Sequence, residues 1–130
     1  MSGSPAHVLV VEDNALVTSA TRILLEDAGF RVTTAARLAE AYSVVRSDPP
    51  DAVLLDLRLP DGDGLSLLSR LREEDVPLPV VAALTGRDEP EIRARCLRAG
   101  CAAVFVKPVD ARALAPTVRS LIEDASGSRR

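Results

Sequence analysis

Glu12 and Asp13 follow the apolar run HVLVV, and Asp56 follows AVLL. Thr85 and Gly86 follow VVAAL, and Lys107 follows AAVFV. Three carboxylates, a hydroxyl and the only lysine of the chain thus close four apolar runs. Carboxylates brought together repel one another, and their pKa values rise unless a cation intervenes. The donors near them are all oxygen, with no histidine or thiolate at hand, which suits Mg²⁺, with Mn²⁺ as a substitute. An octahedral Mg²⁺ on two or three carboxylates and a backbone carbonyl keeps positions for water and for a phosphoryl oxygen. Lys107 adds a positive point charge, Thr85 a hydroxyl donor, and Gly86 lets a backbone amide come close. Such a set suits a phosphoryl group carried on a carboxylate, with catalysis by positioning and charge neutralisation.

This chemistry needs the ends of the four runs to meet. Residues 7–11, bounded by Pro5 and the acidic pair, read as a buried strand. Residues 14–28 carry Leu16, Ala20, Ile23, Leu24 and Ala28 at helical spacing, and Gly29 stops them. Residues 31–35 are a short β-branched strand, and 39–46 a helix that Pro49 and Pro50 end. Strand 51–55 precedes helix 64–74, with PDGDG (60–64) as a tight loop in which Asp63 caps the helix. Strand 79–84 leads to a fourth helix that Asp88 opens, Glu91 completing a capping box and Pro90 lying in the first turn. Gly100 ends that helix. Strand 102–106 and helix 110–123 complete a (βα)₅ pattern, the last helix with Leu114, Val118, Leu121 and Ile122 on one side. Continuous apolar strands mark a parallel sheet covered on both faces. A doubly wound α/β sheet binds ligands at the carboxyl ends of its strands, near the switch in strand order. The polar residues above therefore share one rim. His7 begins its strand, at the other end of the sheet, and is no catalytic candidate. Residues 1–6 and 125–130 read as flexible ends around one domain at 7–124.

Composition removes other functions. One histidine cannot build a zinc site of two or three. Aromatic residues at 2% provide no stacking platform, and a net charge of −3 is wrong for a phosphate-backbone partner, so no direct nucleic-acid binding is expected. Apolar runs of about five residues are far short of a membrane span. No signal peptide and no Gly-x-x-x-x-Gly-Lys loop is visible, and Cys96 and Cys101 read as small, partly buried residues of a reducing compartment. A cytoplasmic domain fits these facts.

The stretches VLVVEDN, AVLLDLRLPDGDGL, VVAALTG and FVKP, in this order on these elements, resemble the receiver domain of bacterial two-component response regulators. The resemblance runs from about residue 7 to 123 and includes Asp56, Pro60 and Gly64 in an Asp-x-x-x-Pro-x-x-x-Gly pattern. It implies a flavodoxin-like three-layer sandwich with a five-stranded parallel sheet in the order 2-1-3-4-5. It also implies that Asp56 is the phosphoacceptor. Glu12, Asp13, Asp56 and the Arg58 backbone carbonyl would hold Mg²⁺. Lys107 would pair with the acidic cluster and then with the phosphoryl group, Thr85 would turn towards it, and the Lys107–Pro108 peptide would be cis. Family members often place an aromatic three residues before the lysine, where this chain has Val104. Phe105 is one residue late, and strand alternation turns it to the opposite face. Arg58 and Arg87, each two residues beyond a site residue, either flank the phosphoryl group or point to solvent. Arg93, Arg95 and Arg98 read as a solvated helix face or a partner surface.

The reading that follows is a phosphoacceptor switch. It takes its phosphoryl group from a sensor histidine kinase or histidine phosphotransfer protein and changes a surface at helix 4, strand 5 and helix 5, through which a homodimer could form. It catalyses only its own phosphorylation and dephosphorylation. One alternative is a binding module of the same fold with atypical output. Another is a haloacid-dehalogenase-like phosphatase, which needs a second aspartate where this chain has Arg58.

Overall fold

The computed structural model describes residues 4–127. Five parallel strands form one sheet: β1 (His7–Val11), β2 (Arg31–Ala35), β3 (Ala52–Asp56), β6 (Val80–Thr85) and β7 (Ala103–Val106), in the order β2-β1-β3-β6-β7. Two short strands, β4 (Arg58–Leu59) and β5 (Gly62–Asp63), make a separate antiparallel ribbon. Counting only the strands of the main sheet, the order is the expected 2-1-3-4-5. Registers start flush, His7 opposite Arg31 and Val8 opposite Ala52, so the carboxyl ends of the strands align.

Alternation along the buried strands divides the core in two. Leu9, Val11, Val53 and Leu55 face one cluster, which α2 (Leu38–Ser47), α3 (Ser66–Glu73) and α4 (Pro90–Ala99) close with Val45, Leu68, Leu71 and Cys96. Val8, Val10, Leu54 and Leu84 face the other, which α1 (Ala15–Asp27) and α5 (Ala111–Gly127) close with Leu25, Leu114 and Val118. The result is the flavodoxin-like three-layer sandwich. Because β1 feeds β2 on one side and has β3 on the other, a crevice opens at the carboxyl ends of β1 and β3.

The helix ends show where local reading holds and where it fails. Asn14 caps α1, its side chain accepting from the Leu16 and Val17 amides at 3.0 and 3.1 Å. Gly100 takes φ +108° and stops α4, with the Cys101 amide on the Cys96 carbonyl at 3.0 Å. The capping box expected at Asp88 does not form. Pro90 at the first helical position forces Glu89 to be extended, so Glu89 holds the cap position without a side-chain bond, and Asp88 pairs with Arg93 at 3.0 Å. PDGDG is the tip of the β4–β5 ribbon instead of a plain loop. Asp63 bonds the Leu65 amide at 2.9 Å but does not hold the cap position of α3, which is Leu65. Asp61 at the tip instead caps α2 from a distance, accepting from the Leu38 and Ala39 amides at 2.8 and 3.2 Å. Helix α5 continues to Gly127, past the boundary at 124 expected from sequence, and the Ala6 carbonyl accepts from the Arg31 amide at 2.9 Å. Residues 1–3 and 128–130 of the expected flexible ends lie outside the described residues.

Candidate functional site

Each polar residue of the rim is delivered by a strand end. β1 stops before Glu12, β3 ends on Asp56, β6 ends on Thr85, and Lys107 follows β7 directly. Parallel pairing with aligned carboxyl ends makes these four positions neighbours. Lys107 Nζ lies 2.6 Å from Glu12 Oε1 and 2.9 Å from Asp56 Oδ2, across 95 and 51 residues of sequence. The other Glu12 oxygen accepts from the Asn14 amide at 3.0 Å, and Asp56 Oδ1 from the Arg58 amide at 3.0 Å. Glu12, Asp56 and Thr85 are buried, whereas Asp13 is exposed. The Lys107 backbone amide donates to the Thr85 carbonyl at 2.8 Å, and the Lys107–Pro108 peptide is cis.

The electrostatics follow from this burial. Burial pushes the Glu12 carboxyl above its usual range, against the opposing pull of Lys107 and the Asn14 amide, and the nearby Asp56 adds to the rise. Burial alone would lower Lys107, but its bonds to Glu12 and Asp56 outweigh it and hold the ammonium above its ordinary value. The lysine is therefore a fixed cation shared by two carboxylates. A cavity of about 820 Å³ opens over the group.

Glu12, Asp13 and Asp56 bring ligand oxygens within 4.8 Å of one another. The donor set is hard oxygen throughout, and Asp13 faces solvent, where a cation can keep water. These residues fit a hard divalent ion. The set places a buried carboxylate beside an ammonium and a cluster of oxygen donors, an arrangement that can support a carboxylate nucleophile.

Other expected residues fall into place unevenly. In this structure the Thr85 hydroxyl stays with Arg87, accepting from its amide at 3.1 Å and donating to its carbonyl at 3.3 Å. Gly86 lines the cavity, and a Cβ there would meet nothing within 4 Å, so close packing does not demand glycine at that point. Gly64 is demanded: a Cβ on it would sit 2.1 Å from the Asp56 carbonyl oxygen. Arg58 and Arg87 both line the cavity, with Arg87 drawn to Glu89 at 3.4 Å. Val104 packs against the cluster under α2, α3 and α4, and Phe105 against the opposite cluster. No aromatic side chain therefore stands at the Val104 position. Sequence reasoning missed Asn14, Asp63, Ile92 and Arg95, which also line the cavity. Arg95, read as a solvated or partner-facing arginine, instead forms an ion pair with Asp63. The available signal was Ile92, whose apolar side chain marks the inner face of α4 one turn before Arg95.

Comparison with known proteins agrees with this fold. The PhoP transcriptional regulatory protein of Escherichia coli K12 is 38% identical over 121 residues, covering 93% of this chain and 54% of that protein. The virulence regulator PhoP of Salmonella typhimurium LT2 gives the same figures. The chain thus spans about half the length of the curated relatives it matches. A CheY-like receiver domain from Methanospirillum hungatei superposes with a TM-score of 0.87 at 26% identity, over 96% of this chain and 99% of that one. A Francisella receiver domain superposes with a TM-score of 0.85, also at 26% identity, over 92% and 98%. The profile of the response regulator receiver domain matches residues 8–119, and this chain belongs to that family, the receivers of two-component signalling.

Proposed function

We propose that Asp56 is the phosphoacceptor of this receiver. One observation carries the reading. Asp56 is a buried carboxylate at the floor of an open cavity, with one oxygen on the only lysine and the other on a backbone amide. A carboxylate that served only to support the fold would not need that opening. A carboxylate oxygen of Asp56 attacks the phosphorus of a phosphohistidine. The P–N bond breaks, its electron pair stays on the histidine nitrogen, and an acyl phosphate remains on Asp56. Lys107 follows the charge to the phosphoryl oxygens, and the Thr85 hydroxyl exchanges the Arg87 carbonyl for one of them. Arg58, Gly86 and Arg87 flank the group. Glu12, Asp13, Asp56 and the Arg58 carbonyl would hold Mg²⁺, or Mn²⁺ in its place. Such an ion would supply positive charge to offset that of the phosphoryl group. The domain performs this chemistry on itself and turns over no separate metabolite.

The donor in this reading is a sensor histidine kinase or a histidine phosphotransfer protein of the cytoplasm. No helix among the described residues is long and apolar enough to cross a membrane. Leu16, 82% exposed, and Ile23, two turns further along α1, form an apolar stripe beside Asn14 at the cavity edge, which fits a docking helix of the donor. Leu97, exposed on α4, belongs to the α4–β7–α5 face through which a downstream partner or a second copy would bind. Val104 favours a second reading, a receiver-fold module whose output does not use an aromatic switch.

Acetyl phosphate with Mg²⁺ and intact-mass analysis test the assignment. Wild-type chain gains one phosphoryl group and Asp56→Asn gains none. Labelling of Asp56→Asn at full stoichiometry would mean that another residue is the acceptor. In the same assay Leu16→Ala with Ile23→Ala takes up phosphate normally from acetyl phosphate but slowly from a kinase. A wild-type rate from the kinase would remove α1 from docking.

A further inference from the structure

The lining of the cavity contains a cation that no role above uses. Arg95, on the face of α4 that carries Ile92, is ion-paired with Asp63 of the β4–β5 ribbon. That ribbon starts two residues after Asp56 and folds back on it. Arg58 bonds Asp56 Oδ1 through its amide and stands opposite Asp63 in the ribbon register. Gly64, the residue after Asp63, is packed directly on the Asp56 carbonyl. Arg95 and Asp56 therefore line the same cavity, with the Arg95 guanidinium held to Asp63. Both partners are about half exposed, at 50% and 44%. An ion pair so exposed to water is a weak one.

Phosphorylation would change the balance at that point. The phosphoryl group of an acyl phosphate brings about two negative charges and three acceptor oxygens in place of one carboxylate. An arginine meets such a group with two parallel bonds, a better match than one exposed carboxylate offers. We propose that Arg95 leaves Asp63 for the phosphoryl group on Asp56, and that this exchange moves α4 in a chain that has Val104 where an aromatic would turn. The proposal rests on Asp56 being the phosphoacceptor. It assigns Arg95 as a phosphoryl-binding residue and Asp63 as the group that holds it back at rest. Asp61 at the same ribbon tip caps α2, so the ribbon stays anchored while α4 is released.

Two variants and one ligand test this. Asp63→Asn keeps an oxygen for the Leu65 amide but removes the charge that holds Arg95. Arg95→Gln removes the cation. Backbone NMR follows the amides of residues 91–99 with and without beryllium fluoride and Mg²⁺, with Val53 and Leu54 as controls for the fold. Wild-type α4 amides shift on addition. In Arg95→Gln those shifts fall to less than half, while the Val53 and Leu54 amides keep their wild-type positions. In Asp63→Asn the α4 amides move part of the way to the bound positions without ligand. Arg95→Gln with wild-type α4 shifts overturns the proposal. Asp63→Asn superposing on resting wild type also overturns it, since Asp63 would then not be the restraint. Failure of wild-type chain to label at Asp56 overturns the phosphoacceptor reading first, and is told apart from the other results by the mass measurement.

Discussion

Lys107 is the residue on which the site's charge balance turns. Of the 16 basic residues, it alone is lysine. The arginines are used where a long planar fork helps. Arg72 donates to the last carbonyl of α4, Ala99, at 2.6 Å, and Arg119 to Ala28 beyond α1, also at 2.6 Å. A compact ammonium fits between Glu12 and Asp56, where a fork would not bridge both oxygens without moving them. Lys107→Ala leaves Glu12 as a buried carboxylate with only an amide partner. We expect a loss of about 2 kcal/mol in urea denaturation of the metal-free protein. The loss shrinks as pH falls through the raised Glu12 value, because a protonated Glu12 needs no cation. Glu12→Gln with Lys107→Ala should then cost less than Lys107→Ala alone, and equal losses would show that Glu12 does not depend on the lysine. By contrast, the cysteines carry no site chemistry. Burial pushes the Cys101 thiol up to about 12, and Cys96 is also buried and raised.

At the scale of elements, the β4–β5 ribbon organises the Asp56 side of the cavity. Its exit through Gly64 lies against the Asp56 backbone with no room for a methyl group. Gly64→Ala must push the strand end or the ribbon aside. The expected cost is about 1–3 kcal/mol in denaturant unfolding, together with slower uptake of phosphate from acetyl phosphate. Unchanged stability would show that the ribbon yields freely. Helix α5 offers an opposite test. Pro116 lies within Ala111–Gly127, exposed, where it withholds one helical amide. Pro116→Ala restores that donor without touching the core and should raise the thermal midpoint by a few degrees. A lower midpoint would mean that the proline's restraint on the unfolded chain outweighs the missing bond.

For the molecule as a whole, stability against pH is set by pairs that lie away from the cavity as well as in it. Arg31 holds the Asp48 carboxyl below its ordinary range, and the Leu38 and Ala39 amides do the same for Asp61. A lowered carboxylate supports the fold above roughly pH 4 and loses that support as pH falls through the lowered value. Lys107, raised, supports the fold below about pH 10.4 and loses that support as pH rises through its raised value. Unfolding midpoints should therefore fall on both sides of a neutral plateau. Asp61→Asn, which keeps an acceptor oxygen but not the charge, should flatten the acid limb. An acid limb identical to wild type would move its origin elsewhere.

The sequence by itself determined the alternation of five strands and five helices, and with it the rim that collects Glu12, Asp13, Asp56, Thr85 and Lys107. These features are local. An apolar run and a stop such as Gly29 each act within a turn or two, so they can be read without knowing the partner. The tertiary structure decided what depends on distant approach. A two-residue strand has no alternation to read, so the β4–β5 ribbon was invisible as such. Asp61 caps a helix 22 and 23 residues away, and nothing in its own neighbourhood announces that. Asp88 had the spacing of a capping box, but the proline two residues on moved the helix start past it. Arg95 is identical in type to its neighbours Arg93 and Arg98. Only the fold brings Asp63 within reach of that one arginine and sets it in the cavity lining, because a flexible side chain goes where an opposite charge lies within reach.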